Sequence, residues 1–216
     1  MNDALSLQDL REMLLYASAK IIESEPLLTQ IDQQAGDGDH GTNMALGFGA
    51  VRNLLIEQKE FSNVRVLFKD CGMTLIDTMG GTSGILFGTL FISGAAGLPD
   101  GDTLSLEQFC GMLERSLNAI QTRGRAKLGD KTIVDALEPA VTGLRHALQT
   151  NMKLTEALVY AALRAKEGME STIAMRAKAG RAKAYREQSI GVQDAGATSV
   201  YILFQAMSDY LQNIFE

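Results

Sequence analysis

The residues best suited to chemistry lie in one short stretch, Asp32-Gln33-Gln34-Ala35-Gly36-Asp37-Gly38-Asp39-His40-Gly41-Thr42-Asn43. Three carboxylates fall within eight residues, on a chain that must turn at three glycines. Carboxylates this close repel one another unless a cation lies among them. Mg²⁺ prefers oxygen ligands from a few carboxylates together with the phosphates of a substrate. The stretch therefore predicts a metal-dependent phosphate site with Asp32, Asp37 and Asp39 as ligands, in preference to a solvated acidic turn.

Other motifs with glycines at similar spacing are less well supported by this sequence. Residues 36–41 match the G-x-G-x-x-G string of dinucleotide-binding proteins, but no strand precedes them and their two acids would repel a bare pyrophosphate. A calcium loop of the EF-hand type is excluded, because its sixth position would be Thr42 rather than glycine and its twelfth Phe48 rather than glutamate. Residues 124–132 are not a P-loop, because an aspartate interrupts the motif before its lysine.

Two further glycine-containing helix starts could bind phosphate. Gly80-Gly81-Thr82-Ser83-Gly84 offers backbone N–H groups and two hydroxyls, although a plain glycine C-cap followed by a Ser/Thr N-cap explains it equally well. A second helix start lies at residues 194–199, after five basic residues between Arg176 and Arg186. Such a run is commonly a solvated face, and in this acidic chain it could also hold a phosphate or an acidic partner.

Composition indicates one globular domain over residues 1–216. The formal net charge of -6 argues against non-specific binding to nucleic acid or to anionic membranes. No segment approaches the roughly 18 apolar residues of a membrane span, and the acidic N-terminus is not typical of a signal peptide. Cys71 and Cys110 lack the spacing of zinc ligands. We expect them to be buried free thiols of a cytoplasmic protein.

Apolar residues recur with helical spacing along almost the whole chain and predict an all-α fold. Ser6 with Asp9, and Ser105 with Gln108, have the spacing of capping boxes at the start of helices. No run of alternating residues indicates a strand, and the short connections favour antiparallel neighbours. About eight helices are predicted, at residues 7–21, 42–58, 64–79, 84–96, 105–122, 131–148, 154–179 and 196–215.

Five separated motifs together resemble one known family. They are Gly36-Asp37-Gly38-Asp39-His40-Gly41-x-Asn43-Met44, Gly72-Met73-Thr74-Leu75, Gly80-Gly81-Thr82-Ser83-Gly84, Arg123-Gly124 with Gly129-Asp130-Lys131-Thr132, and Gly180-Arg181-Ala182 with Ser189-Ile190-Gly191 and Asp194-x-Gly196-Ala197-Thr198-Ser199. In this order they resemble the L, or nucleotide-binding, subunit of dihydroxyacetone kinases over nearly the whole chain. The resemblance implies an all-α barrel of about eight antiparallel helices, with a nucleotide and two Mg²⁺ ions at one rim.

The resemblance also implies roles for individual residues. Asp32, Asp37 and Asp39 match the metal ligands of the family. The positions that match its ADP or ATP contacts are His40, Gly41, Thr42, Asn43, Thr82, Ser83, Gly124, Ile133, Arg181, Asp194, Ala195 and Gly196.

The expected partners follow from the same resemblance. The ketose is held by a separate K subunit, and a free-standing L chain is similar to the phosphotransferase-system branch. In that branch ADP stays bound and is rephosphorylated in place by a phosphohistidine subunit, M. An L subunit that exchanges ATP is the alternative, and so is a nucleotide-loaded module that contacts a transcription regulator without turnover. A homodimer is also expected.

Several positions depart from the family pattern. The usual Tyr-x-Gly-Glu-Arg stretch is Ala184-Tyr185-Arg186-Glu187-Gln188 here. Val192 replaces a common histidine, Ala195 a common proline, and Ile133 a frequent methionine. These departures lie outside the predicted metal loop. They leave open the phosphoryl source, the partner and the ketose, and they are compatible with a paralogue that serves a related short ketose of the erythrulose type.

Overall fold

A computed structural model describes residues 4–215 of the chain and confirms the all-α prediction. Within this range two three-residue strands, β1 (Ala4–Ser6) and β2 (Thr103–Ser105), pair antiparallel with Leu5 opposite Leu104. The α-helices are α1 (Leu7–Glu23), α2 (Glu25–Ala35), α3 (His40–Glu57), α4 (Val64–Thr78), α5 (Gly81–Ala95), α6 (Leu106–Gly124), α7 (Val134–Gln149), α8 (Leu154–Ser171) and α9 (Ala195–Phe215). Two 3-10 segments, Thr172–Ala174 and Arg181–Ser189, lie between α8 and α9.

Eight of these helices form a closed ring around the apolar core. Going round the ring, α1 packs against α3, then α4, α5, α6, α7, α8 and α9 follow, and α9 packs against α1. The first residues of α3, α5, α7 and α9 and the last turn of α6 all line one cavity. Successive helices therefore run in alternating directions, as the prediction of antiparallel neighbours required.

Both predicted capping boxes are present, and they fix the starts of α1 and α6. Ser6 Oγ accepts a hydrogen bond from the Asp9 backbone N–H at 3.1 Å, while the Asp9 carboxylate accepts one from the Ser6 N–H at 3.0 Å. Ser105 and Gln108 exchange the equivalent pair at the start of α6. The small sheet places these two starts side by side. Its strands are too short for a period-two pattern to be recognised in the sequence.

The helix α2 lies outside the ring, against α3 and α9, and the sequence analysis did not predict it. Pro26 lies in its first turn, and Leu28, Ile31 and Ala35 are buried at the spacing of one helical face. These signals are readable in the sequence, although no helix was predicted between residues 21 and 42. The omission matters because α2 carries Asp32 in its last turn and so determines where that carboxylate lies.

Several other boundaries differ from the predictions, among them the start of α7, which lies at Val134 rather than at residue 131. The helix α5 begins at Gly81, three residues earlier than predicted, so Thr82 and Ser83 lie in its first turn. The helix α8 ends at Ser171 rather than near residue 179. Residues 172–192, named the cover segment here, instead leave the barrel wall. They are mostly exposed from residue 173 to residue 188, so no buried face supports a longer helix. Gly180 also has a φ of 65°, which lies outside the helical region.

The core has no room for added atoms where the helices lie closest. A Cβ at Gly72 of α4 would lie 3.0 Å from the Gly88 carbonyl of α5, and a Cβ at Gly88 would lie 2.9 Å from the Gly72 carbonyl. Cys71 and Cys110 are free and buried, as predicted. Burial raises the pKa of the Cys71 thiol to about 12. Within residues 4–215 no helix combines the length and the apolar character needed to span a bilayer.

Glycine-to-alanine exchanges should have opposite effects at two helical positions. At Gly168 the new Cβ would lie 2.1 Å from the Asp135 carbonyl oxygen, whereas at Gly49 nothing lies within 4 Å. We expect Gly168→Ala to lower the free energy of unfolding by about 2–3 kcal/mol through overpacking. Gly49→Ala should raise it by about 0.5–1 kcal/mol, because alanine favours the helix. Urea denaturation of both variants measures this, and equal effects would contradict the close approach of α7 and α8.

Replacing Arg186 by glycine should stabilise the protein, whereas replacing it by alanine should not. Arg186 has φ 50° and ψ -121°, a combination that glycine adopts far more readily than other residues. We expect Arg186→Gly to raise the free energy of unfolding by about 0.5–1 kcal/mol. Arg186→Ala removes the same charge but keeps the strain, so it should show no gain in the same urea titration. A gain in both variants would assign the effect to charge.

Candidate functional site

A cavity of about 290 Å³ opens at the rim where four helices begin. Its wall includes the starts of α3, α5, α7 and α9, the last turns of α2 and α6, and residues 179–182 of the cover segment. A helix N-terminus presents free backbone N–H groups and the positive end of the helix dipole. Four of them around one cavity favour an anion with several oxygens, such as a chain of phosphates.

The carboxylate of Asp32 is held rigidly by the loop that follows it. Asp32 Oδ2 accepts hydrogen bonds from the backbone N–H groups of Gly38 at 2.9 Å and His40 at 3.2 Å. A Cβ at Gly36 would lie 2.1 Å from Asp32 Oδ1, and Gly38 has a φ of 78°. The two glycines are therefore needed for the loop to fold around this carboxylate.

The structure brings the three predicted metal ligands together. Asp32, Asp37 and Asp39 each offer a carboxylate oxygen, and the three oxygens lie within 4.8 Å of one another. Asp32 is half-buried, whereas Asp37 and Asp39 are exposed towards the opening. An all-oxygen set with open positions suits a hard dication that keeps phosphate or water ligands, which is the preference of Mg²⁺. The donor chemistry of the cluster therefore fits the metal that the sequence predicts.

The cover segment contacts this acidic cluster through two side chains. Arg181 forms ion pairs with Asp37 and with Asp39, the latter at 3.1 Å from Nη1 to Oδ2. Tyr185 donates a hydrogen bond from its hydroxyl to the Gly36 carbonyl at 2.6 Å. The ion pairs are about half exposed, so they stabilise the fold only slightly. Their effect is to place a cationic side chain at the mouth of the cavity.

The basic run that the sequence analysis singled out is largely paired within the chain. Arg176 forms an ion pair with Glu187 at 3.1 Å, Lys178 approaches Asp130 at 3.7 Å, and Arg181 reaches the acidic cluster. In the described part of the chain, the remaining two members, Lys183 and Arg186, form no ion pair. The run is therefore mostly a means of folding the cover segment and only partly a free charged surface.

His40 joins the first turns of three helices. Its Nδ1 lies 3.2 Å from Ser83 Oγ of α5, and its Nε2 lies 2.8 Å from Ser199 Oγ of α9. Burial lowers the pKa of the imidazole, so the ring is neutral at physiological pH, and one nitrogen donates while the other accepts. His40 lines the cavity, and in this structure its ring holds the walls of the site together.

Two aspartates shape the opposite wall. Asp194 Oδ1 accepts a hydrogen bond from the Ala197 N–H at 2.7 Å and so caps α9, and burial raises the pKa of Asp194 to about 7. The sequence analysis did not single out Asp135, which is fully buried at the start of α7. Its carboxylate accepts from the Gly129 and Thr132 N–H groups, at 2.6 Å and 2.7 Å. An acid three residues after Thr132 at a helix start is a readable capping signal.

Most of the predicted nucleotide contacts line the cavity, and two do not. Gly41 lies at the crossing of α2 and α3, where a Cβ would be 2.2 Å from Thr29 Oγ1, and Thr42 is exposed. The predicted contacts in the cavity wall are His40, Asn43, Thr82, Ser83, Gly124, Ile133, Arg181, Asp194, Ala195 and Gly196. The apolar part of the wall was missed, because in the sequence its residues are indistinguishable from core; it includes Ile31, Leu86, Ile120, Ala126 and Val134.

The raised pKa of Asp194 predicts that Asp194→Asn becomes more stable than the wild type as the pH rises. The folded pKa of about 7 lies above the ordinary value of 3.8, so ionisation of Asp194 disfavours the fold. The contribution of protonated Asp194 to the free energy of unfolding is fully present below pH 4 and is lost as the pH rises through 7. Asparagine keeps the acceptor for Ala197 but does not ionise. In buffer without metal or nucleotide, the free energy of unfolding of the variant minus that of the wild type should therefore increase by at least about 1 kcal/mol between pH 5 and pH 8.5.

Urea denaturation across this pH range provides the measurement. The matched control is Asp77→Asn, at an exposed position of α4, which should show no such trend. A difference between Asp194→Asn and the wild type that stays constant with pH would contradict the buried-acid interpretation.

Comparisons with known proteins agree with this geometry. The model of the DAK2 domain family matches residues 34–209. The chain is 40% identical to the ADP-binding subunit of the PEP-dependent dihydroxyacetone kinase of Escherichia coli (strain K12), over 86% of this chain and 88% of that subunit. It is 34% identical to the corresponding subunit of the PTS-dependent enzyme of Lactococcus lactis, over 91% of this chain and 93% of that subunit.

In two further matches, a longer relative and a solved structure, this chain covers only about a third of the other protein. The L-erythrulose kinase of Pectobacterium atrosepticum is 33% identical over 86% of this chain but only 32% of that enzyme. The crystal structure of the dihydroxyacetone kinase from C. freundii in complex with AMP-PNP and Mg²⁺ superposes with a TM-score of 0.70 and 26% identity. That match covers 92% of this chain and 33% of the other. By the extent of these matches, the chain belongs to the DAK2 domain family.

Proposed function

We propose that this chain is the nucleotide-carrying subunit of a short-ketose kinase and binds ADP or ATP with Mg²⁺ in the cavity at the barrel rim. One observation carries the proposal: three carboxylates converge beside four helix N-termini in a single cavity. Carboxylates alone would repel a nucleotide, and helix N-termini alone would not need carboxylates. A phosphate chain that carries a dication satisfies both.

The residues of the cavity divide between the two halves of a nucleotide. Asp32, Asp37 and Asp39 would hold Mg²⁺, which when bound neutralises the charge of the phosphate oxygens. The hydroxyls of Thr82 and Ser83, with the N–H groups at the start of α5, are suited to bind those oxygens. The apolar wall is suited to the base, because a purine buries apolar area on both faces.

The transfer step itself requires positioning more than a protein nucleophile. Both ring nitrogens of His40 are hydrogen-bonded within the chain, and Cys71 and Cys110 lie in the core. In-line phosphoryl transfer is accelerated chiefly by alignment and charge neutralisation. We therefore infer that the acceptor hydroxyl belongs to a ketose held by a separate K subunit, which faces the acidic mouth of the cavity.

The phosphoryl source distinguishes two versions of this function. In the first, ADP remains bound and is rephosphorylated in place by a phosphohistidine subunit, which the names of the E. coli and L. lactis relatives favour. In the second, ATP exchanges with solution, and the ketose is of the erythrulose type, as in the P. atrosepticum relative. A nucleotide-loaded module that contacts a transcription regulator without turnover is a third candidate. The homodimer also stays a prediction, which light scattering can test.

Analysis of the bound nucleotide separates these candidates. Purified protein is denatured, the released nucleotide is identified by mass, and exchange of the native complex with labelled ATP is followed. Bound ADP that exchanges slowly, with ketose phosphate formed only when K and a phosphohistidine donor are both present, supports the first version. Multiple turnovers with ATP and K alone support the second. Protein that carries no nucleotide, and does not melt at a higher temperature with ADP and Mg²⁺, would contradict the function itself.

Removal of one carboxylate should weaken metal and nucleotide binding together. We expect Asp37→Asn to weaken ADP binding in the presence of Mg²⁺ at least tenfold, because the cluster loses a charged ligand. Asp37 is exposed, so the helical content should not change. Titration calorimetry with ADP, with and without Mg²⁺, is the measurement. Asp77→Asn is the matched control at an exposed position away from the cavity and should bind normally.

A further inference from the structure

The ammonium group of Lys131 is buried and surrounded by backbone carbonyl oxygens. The side chain is 1% exposed, and its Nζ lies 2.8 Å from the Thr172 oxygen, 3.2 Å from that of Met175 and 2.5 Å from that of Ser189. A fourth hydrogen bond reaches the Val192 carbonyl. An ammonium has three hydrogens, so the four acceptors share them. The group is fully occupied and cannot at the same time bind a ligand in the cavity.

All four acceptors belong to the cover segment, and they lie at its two ends. Thr172 and Met175 are where the segment leaves α8, and Ser189 and Val192 are where it returns to α9. Between them lie the residues that reach the acidic loop, Arg181 and Tyr185. Lys131 therefore ties together the two ends of a long, largely exposed stretch. The Gly191 N–H also bonds the Ile173 carbonyl at 2.8 Å, and together these contacts oppose the chain entropy that is lost on closure.

Two features at Lys131 are unfavourable on their own. Burial of an ammonium group costs several kcal/mol unless its hydrogen bonds are replaced, and in the described residues no carboxylate pairs with it. Burial accordingly lowers the pKa of Lys131, while the charge of Asp194 opposes that shift. The backbone also has a φ of 62°, a region that disfavours lysine relative to glycine. A residue whose only task was to fill space would avoid both, so the charge itself has a role.

We propose that Lys131 is a positioning residue whose ammonium group, bound to the four carbonyls, keeps the cover segment closed over the acidic cavity and so slows release of the bound nucleotide. The part about release rests on the proposed function. The part about closure does not, because every contact that carries it lies within this chain. Lys131 acts through the segment and through Arg181 and Tyr185, because the hydrogens of its Nζ are donated to the four carbonyls.

Hydrogen exchange on the full-length protein tests closure without any ligand. Lys131→Met keeps the length of the side chain and removes its charge. We expect amides of residues 176–188 to exchange at least tenfold faster in this variant, while amides of α1, α4 and α6 are unchanged. Lys183→Met, at an exposed position of the same segment, is the matched control and should exchange as the wild type does. Unchanged exchange of residues 176–188 in Lys131→Met, or equal acceleration throughout the barrel, would overturn the proposal.

Chemical rescue separates the charge from the packing, and it also serves if Lys131→Met folds poorly. Lys131→Ala leaves a space that methylammonium can occupy, so this amine should restore slow exchange of residues 176–188, whereas neutral acetamide should not. Failure of rescue with a folded protein would overturn the role of the ammonium.

The consequence for ligand release is measured separately. With a fluorescent ADP analogue and Mg²⁺, Lys131→Met should release nucleotide about tenfold faster, with little change in the association rate. If Lys131→Met exchanges faster in the cover segment but releases nucleotide at the wild-type rate, the link between closure of the segment and retention of the nucleotide is overturned. If the wild type binds no nucleotide, the proposed function fails, and the exchange and rescue experiments still decide the role of Lys131.

Discussion

Mutual repulsion of three carboxylates is the constraint around which the rim of this barrel is built. Their oxygens lie within 4.8 Å of one another, a spacing that is unfavourable without positive charge nearby. Each neighbouring element supplies some. The N–H groups of Gly38 and His40 bind Asp32, the guanidinium of Arg181 reaches Asp37 and Asp39, and four helices direct their positive ends at the same cavity. The site is thus prepared for a ligand that carries both a dication and several anionic oxygens.

The ring of helices and the acidic cluster could be predicted from the sequence, because both depend on local patterns. Helical spacing reports which face of each helix is buried, and the capping signals at Ser6 and Ser105 fixed two of the starts. The three aspartates are so close in sequence that a tight turn, which the glycines between them permit, brings their carboxylates together. The resemblance added the closure of the barrel. It also joined the helix starts at residues 80–84 and 194–199, whose local patterns left their role open, to the same predicted site.

What could not be predicted depends on contacts between distant parts of the chain. In the sequence, Lys131 is recognisable only as the lysine of a string that resembles a P-loop. Its burial depends on carbonyls that lie 41 to 61 residues further along the chain. The apolar wall formed by Leu86 and Ile120 has the same helical periodicity as the core. The end of α8 was predicted too late, because the exposed, charged residues that follow it have good helix propensity and lack only a surface to pack against.

The contact between α1 and α9, the first and the last of the described α-helices, closes the ring. His40 likewise completes its hydrogen bonds only with Ser199, which lies 159 residues further on. The ring of helices therefore stays open until the 21 residues of α9, which follow the other ring helices in the sequence, pack into it. The acidic loop precedes most of the ring helices in the sequence, and it meets the start of α9 only when this contact forms. Contacts between residues so far apart in the sequence form slowly, so the cavity at the rim is complete only when the whole ring has closed.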